Sequence, residues 1–449
     1  MYIVLLSGGS GKRLWPLSND LCSKQYIKLM NPDEAEHSES TEKCSMLQRV
    51  FGQLKAASLS ENTIVCASDS QVELIESQLD GQAEVAVEPM RRNTFPAVML
   101  SCAYLLSNKG AKPDEIIFTA GATESTNFII KGYLDYRKFY GDGKNHVITS
   151  LVEHKATLNT CKYLNGELYS NNDPTTSLFG VKKKVDRGYE ASFVGVTPDG
   201  EISVEEITSA IKENTALVSM LYVNNEIGTI SDVESVAEIC KKNNIALHSD
   251  LTQALGKIEI DVKRMGIDYA SCSAHKIYGP KGIGAAFMKS DAYGIVPITA
   301  FMHGGEQEFG FRAGTHAVHN IVGFGKAAEI ALRDLKKNET YIKSLDDMLI
   351  EGISTIEGVH TTVDISKRLP GIISLVVDKT DFHNERFIKK ISEDVALSTG
   401  SACSAGEPSY VIQALGLADK VTKVLRVSIN KYTTAKDIEK FVGILKAEI

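Results

Sequence analysis

Apolar and polar positions follow two rhythms along this chain: short unbroken apolar runs of strand length, and longer stretches with apolar residues every three or four positions. The opening run YIVLLS passes directly into GGSGKR, which predicts a buried parallel strand turning into a glycine-rich loop. Residues 31–43, NPDEAEHSESTEK, are acidic and polar and predict a solvated loop. Met46, Leu47, Val50, Phe51 and Leu54 then recur at helical spacing, on one face of a helix, before the strand TIVCAS. A further apolar helix is expected from Phe95 to Leu106, followed by the strand IIFT at 116–119. Beyond it VITSLVEH, ALVSMLYVNN, ALHSDL and YASCSAHK keep strands and helices alternating, the rhythm of a parallel sheet covered by helices. Residues 163–188 are polar and turn-rich and predict a surface insertion, and from about Asn320 one long helical segment leads to a smaller C-terminal α+β unit. The expected division is 1–107, 108–330 and 331–449.

Charge and composition narrow the function. With 49 basic against 57 acidic side chains, the net charge of −8 argues against a nucleic-acid binder, which needs a net basic face to displace counterions. The balance of 35 Gly and 11 Pro with 43% hydrophobic residues excludes fibrous and disordered chains. The eight Cys form no CxxC pair, which suits free thiols in a reducing cytoplasm, with Cys22, Cys44, Cys66, Cys102, Cys161, Cys240 and Cys272 as inert buried thiols. No spacing among the ten His suggests a metal site, and no apolar run is long enough for a signal peptide or a membrane span.

One constellation carries the chemistry. SAHKIYGPKGIG at 273–284 offers Lys276 at the end of a strand, an amine able to form an imine with an aldehyde once its surroundings lower its basicity. HSDLTQ at 248–253 places Asp250 at the end of an earlier strand, where it can keep a pyridinium nitrogen protonated. TAGATES at 119–125 sets small residues at the start of a helix whose free N–H groups and dipole favour an anion. Amine, acid and phosphate cradle are the three demands of pyridoxal 5'-phosphate.

From about Asp114 to its end the chain resembles the cysteine desulfurases of the NifS and IscS type, class V pyridoxal-phosphate enzymes. The strings FTAGATES, EHKATL, VNNEIGTI, HSDLTQALGK, SAHKIYGPKGIG, HGGEQEFGFRAGT and STGSACSAGEPSYVIQALGL carry the likeness in order. The resemblance implies an α/β fold of the aspartate-aminotransferase-like type (fold type I), with a large domain and a small C-terminal α+β domain. It implies Lys276 as the Schiff-base lysine and base, Asp250 at the ring nitrogen, Gln253 at the ring hydroxyl and a catalytic His154 that stacks over the ring and assists proton transfer. Asn225 would sit near the ring hydroxyl and the substrate, Ala122, Thr123, Ser273 and His275 would hold the phosphate, and Thr315 would reach across from the other subunit of a homodimer. Arg426 would clamp the substrate carboxylate, a bidentate task suited to guanidinium. Cys403, in a small-residue loop able to swing to the substrate, would attack sulfur as its thiolate. Leu251, Glu306 and Phe309 depart from the family's usual alanine, glycine and arginine, the loop after Cys403 is a little shorter, and the family's N-terminal segment has no match.

In its place LLSGGSGKRLWPLSNDLCSKQY, SMLQRV and VEPMRRNTFPAV resemble the opening of mannose-1-phosphate guanylyltransferases, implying a partial Rossmann-like nucleotidyltransferase unit. Gly8, Gly9 and Gly11 would cradle a nucleotide's phosphates with Arg13 adding charge, Lys24 matches that family's phosphate-contacting lysine, and Glu88, Arg92 and Asn93 its sugar-and-base motif. The strand IIFT runs straight into AGATES, without the aspartate that holds the catalytic metal in that family, so nucleotidyl transfer is not expected. The expected activity is therefore transfer of sulfur from L-cysteine to Cys403 as a persulfide with release of L-alanine, for a sulfur-acceptor protein and with neither nucleic acid nor membrane as partner. A sugar-nucleotide enzyme with a PLP aminotransferase or lyase body, and an inactive scaffold for sulfur-carrier proteins, are the alternatives.

Overall fold

The computed structural model describes residues 3–6, 26–28, 43–56, 60, 63–68, 71–88, 115–167, 185–291, 294–400 and 408–449. The chain divides into two compact units, Met1–Leu100 and Ser101–Ile449.

In the first unit the apolar runs form β1 (Ile3–Leu6), β2 (Thr63–Ser68) and β3 (Glu84–Glu88), a three-stranded sheet in that order with both pairings parallel. Parallel neighbours need a crossover, and α1 (Met46–Ala56) and α2 (Val72–Leu79) lie between the strands in sequence. Leu47, Phe51, Ile75 and Leu79 bury one face of each helix with Tyr26 and Val65. Gln78 ties the layer together: Ser45 donates to its Oε1 at 2.6 Å, and its Nε2 donates to the Tyr26 carbonyl at 2.8 Å.

The second unit is built on a seven-stranded sheet of β4 (Ile116–Thr119), β5 (His146–Ser150), β6 (Glu190–Val194), β7 (Thr215–Leu221), β8 (Ala246–Asp250), β9 (Tyr269–Ser273) and β10 (Gly284–Met288). The order across the sheet is β4-β10-β9-β8-β7-β5-β6. Strands β4, β5, β7, β8, β9 and β10 are buried along their whole length, as expected where helices cover both faces. The expectation of a parallel sheet is corrected at one edge, where β10 runs antiparallel to both β9 and β4. The link from β9 to β10 holds only a 3-10 turn (Ala274–Ile277), too short to carry the chain back for a parallel return.

Helix α3 (Ala122–Phe139) buries Phe128, Ile129, Ile130, Tyr133 and Leu134 against this sheet. Polar ties also hold the layers. The buried His248 ring lies between Ser219 (2.8 Å) and Ser271 (3.2 Å), and Ser271 also takes the Thr126 hydroxyl at 2.9 Å. Helices α4 (Lys155–Leu164), α5 (Val204–Ser209) and α6 (Val233–Lys242) follow, α5 and α6 started by Ser203 and Asp232 side chains that accept backbone N–H groups.

The long helix expected after Asn320 is two helices, α7 (Val318–Arg333) and α8 (Leu335–Ser354). Asp334, at φ −97° and ψ 5°, interrupts the regular turn and pairs side by side with Arg333 at 2.8 Å. Apolar residues continue on both sides of the break, so periodicity alone does not register it.

The C-terminal lobe is an antiparallel sheet of β11 (Val359–Thr361), β12 (Ile372–Val377) and β13 (Val424–Ser428), with α9 (Asn384–Lys390), α10 (Tyr410–Ala414) and α11 (Ala435–Glu448). Leu345, Leu349 and Ile353 of α8 pack with Ile438, Phe441 and Leu445 of α11 over Ile373, Leu375 and Leu425. A buried pair, Arg368 with Asp346 at 2.6 Å, fixes the turn into β12, and the Leu369 N–H donates to the Gly228 carbonyl at 2.8 Å, tying this lobe to the loop after β7.

Candidate active site

The ends of β5, β7, β8 and β9 and the start of α3 open on one cavity of about 790 Å³. This is where an open α/β sheet presents the groups beyond its carboxyl ends. Its wall brings together Ala122, Thr123, His154, Asn225, Asp250, Gln253, Ser273, His275, Lys276 and Arg426. Thr315 is exposed and does not join them. Cys403 lies outside the described residues, as do Gly8, Gly9, Gly11, Arg13, Lys24, Arg92 and Asn93; Glu88 ends β3.

Each position follows from local structure. At the start of α3 no side chain caps Gly121, so the first N–H groups of the helix are left for a ligand. Thr119 holds the turn, bonding Ser125 Oγ at 2.7 Å and donating to the Gly121 carbonyl at 3.0 Å. Glu124 accepts the Ala120 N–H at 2.7 Å and holds Arg312 at 2.7 Å, so its charge is matched beside the helix N-terminus. Strand β10 presses against this turn: a Cβ on Gly284 would stand 2.5 Å from the Cys272 carbonyl oxygen and 2.7 Å from Gly121 Cα. Only glycine permits that approach.

Lys276 stands in the 3-10 turn after β9, which Tyr278 closes with a left-handed φ of 67°. Ser273 Oγ bonds His275 Nδ1 at 2.8 Å, and burial, then the charges of Lys276 and Lys281, hold the His275 imidazole below its usual basicity. Asp250, 7% exposed, ends β8 and accepts the Thr252 N–H at 2.9 Å. His154 begins α4 and accepts the Ala156 N–H on Nδ1 at 3.1 Å, which puts the imidazole proton on Nε2. Arg426 of β13 donates through Nη1 to the Asn225 carbonyl at 3.2 Å.

The residues fit pyridoxal 5'-phosphate. Thr252 Oγ1, in the cavity wall, and Arg426 Nε are buried polar atoms without a hydrogen-bond partner among the described residues, as groups awaiting a polar ligand are. An acid, an amide, an imidazole, an amine and a set of phosphate donors surround the same space.

Sequence reasoning passed over four members of this neighbourhood. Lys257 donates to Gln253 Oε1 at 2.7 Å. An ammonium can only donate, so this contact commits the Gln253 oxygen and turns the amide nitrogen into the group able to meet a ring oxygen. Burial, then the charge of Lys276, lowers the Lys257 amine to about 7. Glu153, directly before His154, is fully buried and accepts the Leu221 N–H (3.0 Å) and Ser150 hydroxyl (2.8 Å) on Oε1; burial pushes its carboxyl up to about 8. Thr252 and Glu226 complete the set. All four stand inside the strings quoted above, so the available signal was their position within one to four residues of Gln253, His154, Asp250 and Asn225. The thiols of Cys240 and Cys272 are buried and raised to about 12, and that of Cys161 is raised further, as expected of inert thiols, whereas Cys44 is only half-buried, against the expectation of a buried thiol; Cys22 and Cys102 lie outside the described residues.

Comparison with known proteins supplies the family. The profile described as aminotransferase class-V matches residues 107–172 and 175–441, and the nucleotidyl transferase profile matches residues 2–130. The cysteine desulfurase IscS of Aeromonas salmonicida is 39% identical over 371 residues, covering 82% of this chain and 82% of that protein. That of Ruthia magnifica is 38% identical over 343 residues, 76% of this chain and 78% of its own. Among solved structures, a NifS-like protein superposes with a TM-score of 0.66 at 31% identity over 78% of this chain and 86% of that one. SspA in complex with cysteine gives 0.59 at 30% identity over 75% and 88%. The chain belongs to the class-V aminotransferase family as a pyridoxal-phosphate-dependent cysteine desulfurase of the IscS and NifS type, with a nucleotidyl-transferase-family segment at its N-terminus.

Proposed function

We propose that the cavity at the carboxyl ends of the sheet holds pyridoxal phosphate and L-cysteine, and that the substrate sulfur leaves for Cys403. The observation that carries this is the convergence of Asp250, Gln253, His154, Lys276 and Arg426 on one cavity from four separate stretches of chain. Bound pyridoxal phosphate supplies an electron sink for the substrate's carbon skeleton. Asp250 holds the proton on the ring nitrogen, and Lys276 Nζ takes the proton from the substrate Cα and returns one as alanine forms. Arg426 has Nη1 committed to the Asn225 carbonyl and Nε without a described partner, so its Nε–Nη2 edge suits a side-on carboxylate. The Cys403 thiolate attacks the substrate Sγ; the Cβ–S bond breaks, its electron pair returns to the carbon skeleton, a proton completes alanine, and the sulfur stays on Cys403 as a persulfide. The sum, cysteine plus thiol giving alanine plus persulfide, needs no external oxidant or reductant.

The acceptor of that sulfur is a second protein thiol, and the working form is a homodimer in which Thr315 serves the partner's phosphate site. Free thiols suit a reducing cytoplasm; among the described residues no helix is long and apolar enough to cross a membrane. Residues 108–330 and 331–449 form the two lobes, and 1–107 a nucleotidyltransferase-like unit acting as scaffold.

The test is Cys403→Ala. It should keep the cysteine-induced change in cofactor absorbance, because binding rests on Lys276 and Arg426, yet form almost no alanine. Arg426→Ala should bind cysteine weakly while Cys403 stays alkylatable. Near-normal alanine formation by Cys403→Ala would transfer the assignment to a lyase or aminotransferase acting without a protein thiol.

A further inference from the structure

Glu226 takes no part in the chemistry above, yet it is 2% exposed and sits beside two site residues. Its backbone is tied down: Asn224 Oδ1 accepts the N–H groups of Glu226 (2.8 Å) and Ile227 (3.1 Å), and Asn224 Nδ2 donates to the Val152 carbonyl (3.0 Å). From this platform the carboxylate reaches the C-terminal lobe. Ser409 Oγ donates to Glu226 Oε2 at 2.6 Å, and the same oxygen lies so near Gly400 that a Cβ there would approach it to 3.0 Å. Gly400 and Ser409 flank residues 401–407, which include Cys403. One carboxylate oxygen therefore bonds the Ser409 side of residues 401–407 and faces Gly400 on the other side with little room for a side chain there.

Two more contacts fix the same flanks to the site. Arg426 donates its backbone N–H to the Ser398 carbonyl at 2.7 Å, and the Tyr410 hydroxyl donates to the Glu153 carbonyl at 2.8 Å, one residue before His154. Ser409 performs two tasks with one hydroxyl. Its oxygen accepts the Ile412 N–H at 3.2 Å and so starts α10, while its proton goes to Glu226. A hydroxyl has one proton and two lone pairs, so both tasks are met at once, and an ionised acceptor makes the outward bond a charge-assisted one. The Glu226 charge also favours the Arg426 cation, which burial disfavours.

We infer that Glu226 is a positioning residue: by bonding Ser409 and packing close to Gly400 it holds the described residues on either side of 401–407 to the loop that carries Asn225, so that 398–400 and 409–410 stay fixed beside Arg426 and His154. The inference deepens the proposed sulfur transfer and rests on Cys403 as acceptor. It assigns a role in the transfer step and none in binding pyridoxal phosphate.

Three variants test it: Glu226→Ala, Glu226→Gln and Ser409→Ala, with thermal unfolding of each compared with the parent so that only folded protein is scored. Cofactor absorbance and the cysteine concentration for half-maximal spectral change should stay within about threefold in Ser409→Ala, which leaves Arg426's neighbour in place. Single-turnover alanine formation should fall about tenfold or more in Glu226→Ala and Ser409→Ala. Iodoacetamide should label Cys403 severalfold faster in both, read by mass spectrometry. Glu226→Gln, whose Oε1 can accept the same Ser409 proton, should recover much of the transfer rate. Unchanged transfer and labelling in Ser409→Ala and Glu226→Ala would overturn the mooring role. So would a rise in KM with kcat intact, which would confine Glu226 to its neighbour Arg426. A parallel Cys403→Ala sample separates the two readings: if it still turns over, the proposed transfer itself fails, whereas an inactive Cys403→Ala beside unaffected mooring variants removes only this inference.

Discussion

Lys257 shows how a residue outside the proposed chemistry can decide what a neighbour offers. Its 2.7 Å bond to Gln253 Oε1 orients the Gln253 amide. Lys257→Met keeps the stem and removes the donor. With the amine lowered to about 7, its bond is worth nearer the ~0.5–1.5 kcal/mol of an ordinary hydrogen bond, so pyridoxal phosphate should bind a few-fold more weakly, read by titration of the apo-protein; unchanged affinity would remove Lys257 from the site. Glu153 makes a different statement. Burial lifts its carboxyl to about 8, above the ~4.3 of an unfolded chain. The native state keeps a proton that the unfolded chain releases over that interval, so this contribution is complete below about pH 4.3 and is lost as pH rises to about 8. Glu153→Gln retains the acceptor for Leu221 and Ser150 without the titration. Between about pH 5 and 8, urea midpoints should therefore decline more in the parent than in Glu153→Gln, and parallel profiles would refute the assignment. Neither residue was legible in the sequence. Lys276, Asp250 and Arg426 stand in strings that name their own chemistry, whereas Lys257 and Glu153 acquire theirs from contacts made in the folded state.

At the scale of elements the strands were read because six of the seven in the main sheet are buried end to end and appear as short runs of apolar residues with few polar ones, some of them ending at a polar residue. The direction of β10 was not, because GPKGIG signals a tight turn without saying which way the chain emerges from it. The same turn-rich stretch ends at the point where β10 meets the start of α3. Gly284→Ala would place a methyl group 2.5 Å from the Cys272 carbonyl oxygen and 2.7 Å from Gly121 Cα, both backbone atoms that cannot swing aside. Overpacking of this kind costs ~1–3 kcal/mol, and the displaced element is the uncapped N-terminus of α3. Gly284→Ala should thus unfold at lower temperature and also weaken pyridoxal phosphate binding. A loss of stability with unchanged cofactor affinity would show that the turn at Gly121 does not serve the phosphate.

At the scale of the whole molecule, the two family matches overlap over residues 107–130, so FTAGATES and the first turns of α3 fall within both. In the structure residues of that stretch form part of the wall of the desulfurase cavity, and the strand end used there carries no aspartate for a nucleotidyltransferase metal. Incubation with GTP, magnesium and mannose-1-phosphate should yield no GDP-mannose, and product formation lost in Arg13→Ala would contradict this. Assembly supplies the sharper test. Thr315 is exposed and does not line its own chain's cavity, whereas a two-fold dimer can bring such a residue to its partner's site. Lys276→Ala alone should be inactive, and Thr315→Ala alone should be nearly so at limiting pyridoxal phosphate. In a hybrid of the two, one site carries both defects. The other joins an intact Lys276 to the partner's intact Thr315. Equal mixing of subunits under exchange makes about half of the dimers hybrids, each with one intact site by two-fold symmetry, so about a quarter of parental activity should return. If Thr315 instead acts within its own chain, each hybrid site retains one defect and mixing restores nothing; a monomer with full cofactor occupancy in light scattering would exclude the shared site altogether.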